Sequence, residues 1–162
     1  IYGKTAVHPQ RMHRSGQEKH SYMKRYISLH MIRMEHLNHH ANLYAGRGIE
    51  WMVESAFMAA CLTHGDKNGL LYKNMNRFDF SRSVEPGDIV RYESTVVRAG
   101  RTSLTVHVDL KNEQTGDLYA EGYATFVTID PETKAPKPHG IAMDETDDEE
   151  EMSWRKEADA FF

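Results

Sequence analysis

Cysteine is nearly absent. Among 162 residues only Cys61 occurs, which excludes an internal disulfide framework and a multi-cysteine zinc site. No uncharged apolar run reaches the length of a membrane-spanning helix. Proline is scarce, and three of the five, Pro131, Pro136 and Pro138, close the strand-rich part of the chain. Neither charge sign dominates, with 20 Lys+Arg against 24 Asp+Glu. The basic, aromatic-interleaved density that nucleic acid requires is missing. The chain opens at Ile1 rather than Met, which points to a processed or trimmed start. What remains is ordinary for one globular domain: 40% hydrophobic residues rule out a wholly disordered chain.

The charge is unevenly placed. Residues 144–151 carry seven carboxylates, and without them the chain holds 20 basic against 17 acidic residues. Residues 1–20 are polar, rich in His, Arg and Lys, and lack periodicity, so they read as a loose basic arm. The acidic run reads as solvated surface. A mildly basic body would receive an anionic ligand away from it.

Between these ends, residues 21–138 read as a single domain, followed by an acidic tail over 139–162 with a short helix near 153–162. A strand is expected over residues 21–33, rich in Tyr and Ile. A polar stretch from His36 to Gly46 leads into a helix over 45–63. At 100° per residue, Ile49, Met52, Val53, Ala56, Phe57 and Ala60 share one face. The opposite face, with Trp51, Met58, Ala59 and Leu62, is apolar too. A helix apolar nearly all round and too short for a bilayer is predicted to be buried. Strands follow over 70–80, 89–98, 102–111 and 118–129, joined by hairpin-length turns. The order predicts an α+β fold, one curved antiparallel sheet around a central helix. One sheet cannot sheathe a helix on every side, so the uncovered side should meet a second copy.

Polar groups on such a helix invite chemistry. Glu50 and Glu54 are spaced i,i+4 on a narrow stripe with Arg47 and Cys61. Burial would raise a carboxylate pKa toward the range of a general base. Asn38, Asn42 and Gly46 precede or open the helix, where unpaired amides can stabilise an oxyanion. As a purely structural group, Asn42 would serve as a turn or cap. His36, His39 and His40 lack the convergence a metal needs, and Cys61 reads as an inert thiol. Gly100, Arg101, Thr102 and Ser103 join two strands; their amides, guanidinium and hydroxyls suit phosphate or pantetheine amides.

In order, these residues resemble the hot-dog-fold acyl-CoA thioesterases, the acyl-CoA hydrolase branch of the 4-hydroxybenzoyl-CoA thioesterase-like superfamily. The segment from His36 through Asn38-His39-His40-Ala41-Asn42-Leu43-Tyr44-Ala45-Gly46 is similar to the family's Asn-His-His-Gly-Asn-Leu-Phe-Gly-Gly. Glu50 to Ala56, Arg77 to Phe80, Val84 with Gly87 to Val90, Gly100 to Ser103 and Phe126 to Asp130 follow in the family's order. The resemblance covers residues 22–138.

The resemblance implies a hot-dog fold assembled as homodimers or as trimers of dimers. It implies metal-free hydrolysis of acyl-CoA at sites between subunits, with no cofactor beyond the coenzyme A of the substrate. Asn42 matches the motif Asn, and the helix-start amides fall near Gly46 and Arg47. Arg101, Thr102 and Ser103 match a segment near bound CoA, and Asn38 joins them as a substrate contact. One position departs: Val53 stands where the family places its catalytic carboxylate. Either Glu54, with Glu50 in reserve, has become the base, or the protein binds or senses acyl-CoA without turnover. An enoyl-CoA hydratase or dehydratase using His39 or His40 is the third reading. The expected compartment is the cytoplasm or an organelle matrix.

Overall fold

Side chains on β4 and β5 alternate between two faces of a sheet, and here both faces are covered. The computed structural model describes residues 23–162, so the expected basic arm lies outside the described residues. In chain order the elements are β1 (Arg25–Met31), α1 (Ala45–His64), β2 (Leu70–Phe80), β3 (Ile89–Ala99), β4 (Ser103–Asn112), β5 (Leu118–Thr128) and α2 (Glu149–Asp159). The strands form one sheet in the order β1-β3-β4-β5-β2, every pair antiparallel. β1 and β2 therefore occupy opposite edges, and α1 is the crossover between them. This is the hot-dog arrangement.

The inner face packs on α1. Leu104, Val106, Val108 and Leu110 of β4 are fully buried with Met52, Ala56, Ala59 and Ala60 of the helix. Alanine at three of these helical positions lets the backbone approach the sheet closely. α1 ends at Gly65, whose φ of 89° needs a residue without Cβ and whose N–H donates to the Cys61 carbonyl. β2 carries two register shifts, between Tyr72 and Asn74 and between Met75 and Arg77. Opposite the second shift lies Gly122, where a Cβ would sit 1.8 Å from the Arg77 carbonyl oxygen.

α1 is not enclosed on all sides. Gly48, Trp51, Met52, Ser55, Ala56, Ala59 and Ala60 are buried, whereas Glu50, Glu54, Met58 and Leu62 form an exposed i,i+4 stripe. Both Glu50 and Glu54 are exposed in the single chain. A helix lying on one face of a sheet leaves its far side to solvent or to a second copy.

The expected terminal helix is α2, and it lies on the outer face of the sheet. The helix begins earlier than its apolar residues suggest: the Asp148 side chain accepts from the Glu151 amide at 2.8 Å. Glu149, Glu150 and Glu151 fill the first turn, where carboxylates favour the helix dipole. Half of the acidic run thus becomes a helix start. Trp154 stacks on His107 with ring centroids 3.9 Å apart, and the Arg25 guanidinium sits 5.1 Å over the Trp154 ring. Glu157 accepts from Tyr123 Oη at 2.7 Å and pairs with Arg77. Glu151 is completely buried, paired with Arg155 at 3.0 Å.

Candidate functional site

The chain between β1 and α1 folds back on itself through Asn38. Its Oδ1 accepts from the amides of His40 (2.8 Å) and Asn42 (3.2 Å). Its carbonyl accepts from Ala41 N–H, and its own N–H donates to the Asn42 carbonyl at 2.7 Å. Ala41 completes the turn in the left-handed region, φ 59°. Asn38 was expected to touch substrate; its side-chain oxygen holds the backbone of the turn that carries Asn42, and the residue also lines the cavity described below. The Asn42 side chain has no hydrogen-bond partner among the described residues and is half-buried.

Leu43 fixes this turn against the sheet, its N–H donating to the Val84 carbonyl at 2.8 Å. Tyr44 then caps α1 without a side-chain bond, so the opening amides of Ala45 and Gly46 precede the first intrahelical hydrogen bonds. The Tyr44 ring folds over Gly46, 2.4 Å from where a Cβ would stand. A side chain there would have to displace the exposed Tyr44 ring. Asn38, His40, Asn42, Leu43 and Ala45 line a cavity of about 600 Å³, closed on its other side by Phe80, Arg82, Ser83 and Val84. Arg82, Phe80 and Tyr44 were not foreseen as site residues. Their signal is spatial, since Phe80 is the last residue of β2 and Arg82 lies in the segment just after it.

The carboxylates flank this region differently. Glu50 pairs with Arg47 at 3.4 Å on the surface, an ordinary i,i+3 contact. Glu54 makes no ion pair among the described residues, but its charge acts on His30 of β1. The His30 ring lies flat on Trp51, centroids 4.1 Å apart, with Tyr92 at its edge. Burial lowers the His30 pKa, Glu54 opposes that shift, and His36 adds to it. His36 itself is buried against Trp51 and accepts from the Arg33 amide at 3.0 Å. Val53 is partly buried in the core. His39 and His40 are exposed with rings 4.0 Å apart. No group of three His, Cys, Asp or Glu among the described residues could hold a metal ion.

Arg101, Thr102 and Ser103 lie elsewhere. Their hairpin is tied to the end of β5 and the chain after it: Thr128 N–H donates to the Thr102 carbonyl at 2.8 Å. His139 N–H donates to the Arg101 carbonyl, and its Nδ1 accepts from the Ile141 amide at 2.9 Å. That leaves Nε2–H to donate to the Ser103 carbonyl at 3.1 Å. His139, His64, Asp66 and Lys137 line a smaller cavity of about 300 Å³ beside it. His64 is the last residue of α1, and Asn42 lies just before its first. A 20-residue helix spans about 30 Å. The two groups of residues that sequence joined into one site therefore stand at opposite ends of the chain's central helix.

The family model of the thioesterase superfamily matches residues 39–119, which is 81 of the 162 residues. The chain belongs to the thioesterase superfamily. Solved structures agree on the fold. A hexameric acyl-CoA thioesterase is 28% identical, with a TM-score of 0.71 over 85% of this chain and 87% of its own. An acyl-CoA hydrolase from Bacillus cereus is 27% identical, TM-score 0.72, covering 84% and 82%. One from Staphylococcus aureus, solved with butyryl coenzyme A, is 24% identical, TM-score 0.73, covering 85% and 80%. A comparison with curated proteins finds no significant match. No helix of this thioesterase-superfamily chain, among the described residues, is long and apolar enough to cross a membrane.

Proposed function

We propose that the chain hydrolyses acyl-CoA thioesters at sites shared by two copies. The observation that carries this is the Asn42 side chain, which has no hydrogen-bond partner among the described residues and is presented beside the opening amides of α1 in a cavity of about 600 Å³. Free N–H groups at a helix start suit the negative charge that develops on a thioester oxygen. The acyl-CoA hydrolases from Bacillus cereus and the hexameric thioesterase support the substrate class.

In this reading the thioester carbonyl accepts from amides near Gly46, and Asn42 orients the carbonyl or the attacking water. Glu54, or Glu50 in reserve, takes the proton of the water. Its oxygen bonds to the acyl carbon, the carbon–sulfur bond breaks, and the proton passes to the leaving thiolate. The products are the free acid and CoA. In one copy Arg101, Thr102 and Ser103 lie by the C-terminal end of α1, whereas Asn42 lies before its start. A two-fold partner whose helix runs in the opposite sense would bring its own hairpin toward Asn42. A homodimer, alone or within a hexamer, is then the working unit.

Val53 favours a second reading, acyl-CoA binding without turnover. Release of free thiol from short, medium, branched and aromatic acyl-CoAs separates the two. If Glu54→Ala and Glu50→Ala both keep full turnover, neither carboxylate is the base.

A further inference from the structure

The cavity beside Asn42 holds no carboxylate among its lining residues, yet it holds a guanidinium and an imidazole, from Arg82 and His40. Arg82 is held from both sides. Ser81 N–H donates to the Tyr119 carbonyl of β5 at 2.8 Å, and the Val84 carbonyl accepts from Leu43 at 2.8 Å. This short segment therefore cannot swing away from the turn that presents Asn42. The guanidinium's one ion pair among the described residues is with Asp117, 3.2 Å away, and both side chains are at least half exposed. Exposed pairs of this kind contribute little and exchange readily. A planar guanidinium with five donors matches a carboxylate or phosphate two bonds at a time.

We propose that Arg82, assisted by His40, is an anion subsite of the Asn42 cavity that binds a phosphate or carboxylate group of the substrate, displacing Asp117. The proposal rests on the acyl-CoA reading above and adds to it a recognition element distinct from the catalytic groups. A CoA thioester offers such an anion in two places, the phosphates of its nucleotide half and, for a dicarboxylic acyl group, the acyl end.

Equilibrium binding by calorimetry tests this on the assembled protein without requiring turnover. The probes are CoA, pantetheine, butyryl-CoA and succinyl-CoA, and the variants are Arg82→Gln, Arg82→Lys, Asp117→Asn and Asn42→Ala. Arg82→Gln should weaken binding of at least one anionic probe about tenfold or more. Arg82→Lys should restore part of the loss, and Asp117→Asn should tighten the same probe. Weakening of CoA with pantetheine untouched assigns the subsite to the nucleotide phosphates. Weakening of succinyl-CoA alone, with butyryl-CoA untouched, assigns it to an acyl carboxylate. If Arg82→Gln leaves every probe within about twofold of the wild type, Arg82 is only a surface partner of Asp117 and the proposal fails. The catalytic reading fails separately, if wild-type protein releases no thiol or Asn42→Ala keeps full turnover.

Discussion

Asn42 and Arg101 stand at opposite ends of α1, one before its first turn and the other on the hairpin tied to His139 beyond its last. If both act on one substrate, each active site takes Asn42 from one copy and Arg101 from another. Complementation follows from two-fold symmetry. Homodimers of Asn42→Ala and of Arg101→Ala should each be impaired. Refolded or co-expressed together, the two variants should recover activity, because every mixed dimer pairs both lesions in one site and leaves the other intact. Random mixing yields about a quarter of sites intact. Turnover of the mixture no better than the mean of the two variants would place both residues in separate functions.

By the motif resemblance, Val53 takes the place of the family's usual carboxylate, and it is partly buried against the core. Val53→Asp should raise kcat for acyl-CoA hydrolysis by about tenfold or more, since a positioned general base contributes of the order of 100-fold or greater. If Glu54 already serves, the gain will be smaller, and Val53→Asp will make turnover insensitive to Glu54→Ala. Steady-state thiol release from the single and double variants decides. A double variant as inactive as Glu54→Ala alone would show that the Val53 side chain does not reach the thioester.

Much of this architecture was legible because it rests on local signals. The all-round apolar helix, the breaker at Gly65 and the alternation of Leu104, Val106, Val108 and Leu110 each follow from neighbours within a few residues. The docking of α2 was not legible. Its sheet face is built from His107, Asp109, Tyr123 and Arg77, polar positions that read as solvent-facing until Trp154 and Glu157 are laid across them. The position of Asn42 just ahead of α1 was readable from its motif, but the turn built on the Asn38 side-chain oxygen depended on backbone geometry. Arg82 reaches the cavity because the segment after β2 is held by backbone bonds to Tyr119 and Leu43. Residues brought together by register leave no trace in spacing along the chain.

The buried outer face should make stability depend on pH. Asp109 is 3% exposed, and one of its carboxylate oxygens has no partner. Burial pushes its pKa up from 3.8 to about 6, opposed by Lys111 and His107 and aided by Glu93 and Glu150. Glu151, from α2, is also raised, chiefly by burial, with Arg155 and Arg25 opposing. The folded state therefore binds more protons than the unfolded state between about pH 4 and pH 6, so this contribution falls as pH rises through that window and stays unfavourable above it. Asp109→Asn should stabilise the protein by about 2 kcal/mol near pH 7.5 and by almost nothing near pH 4. Denaturant titrations of both proteins at the two pH values measure it. An equal effect at both would mean that Asp109 does not titrate differently on folding.

Ala41 carries backbone strain in the turn that presents Asn42. At φ 59° its Cβ crowds the following carbonyl, a conformation that costs an alanine about 1 kcal/mol and glycine almost nothing. The family usually has Gly here. Ala41→Gly should therefore stabilise the chain by about 1 kcal/mol, a rise in Tm of roughly 2–4 °C for a domain of this size. Ala41→Val should do the reverse and by more, because a β-branched side chain is worse tolerated at positive φ. Because the turn also aims Asn42, the valine variant should lose activity even at temperatures where it is fully folded, while the glycine variant keeps it. Thermal melts with thiol-release assays on the same samples test both halves. A glycine variant that melts below the wild type would mean that the unfolded chain's added freedom outweighs the relief, and that Asn38's two amide contacts already hold the turn without strain.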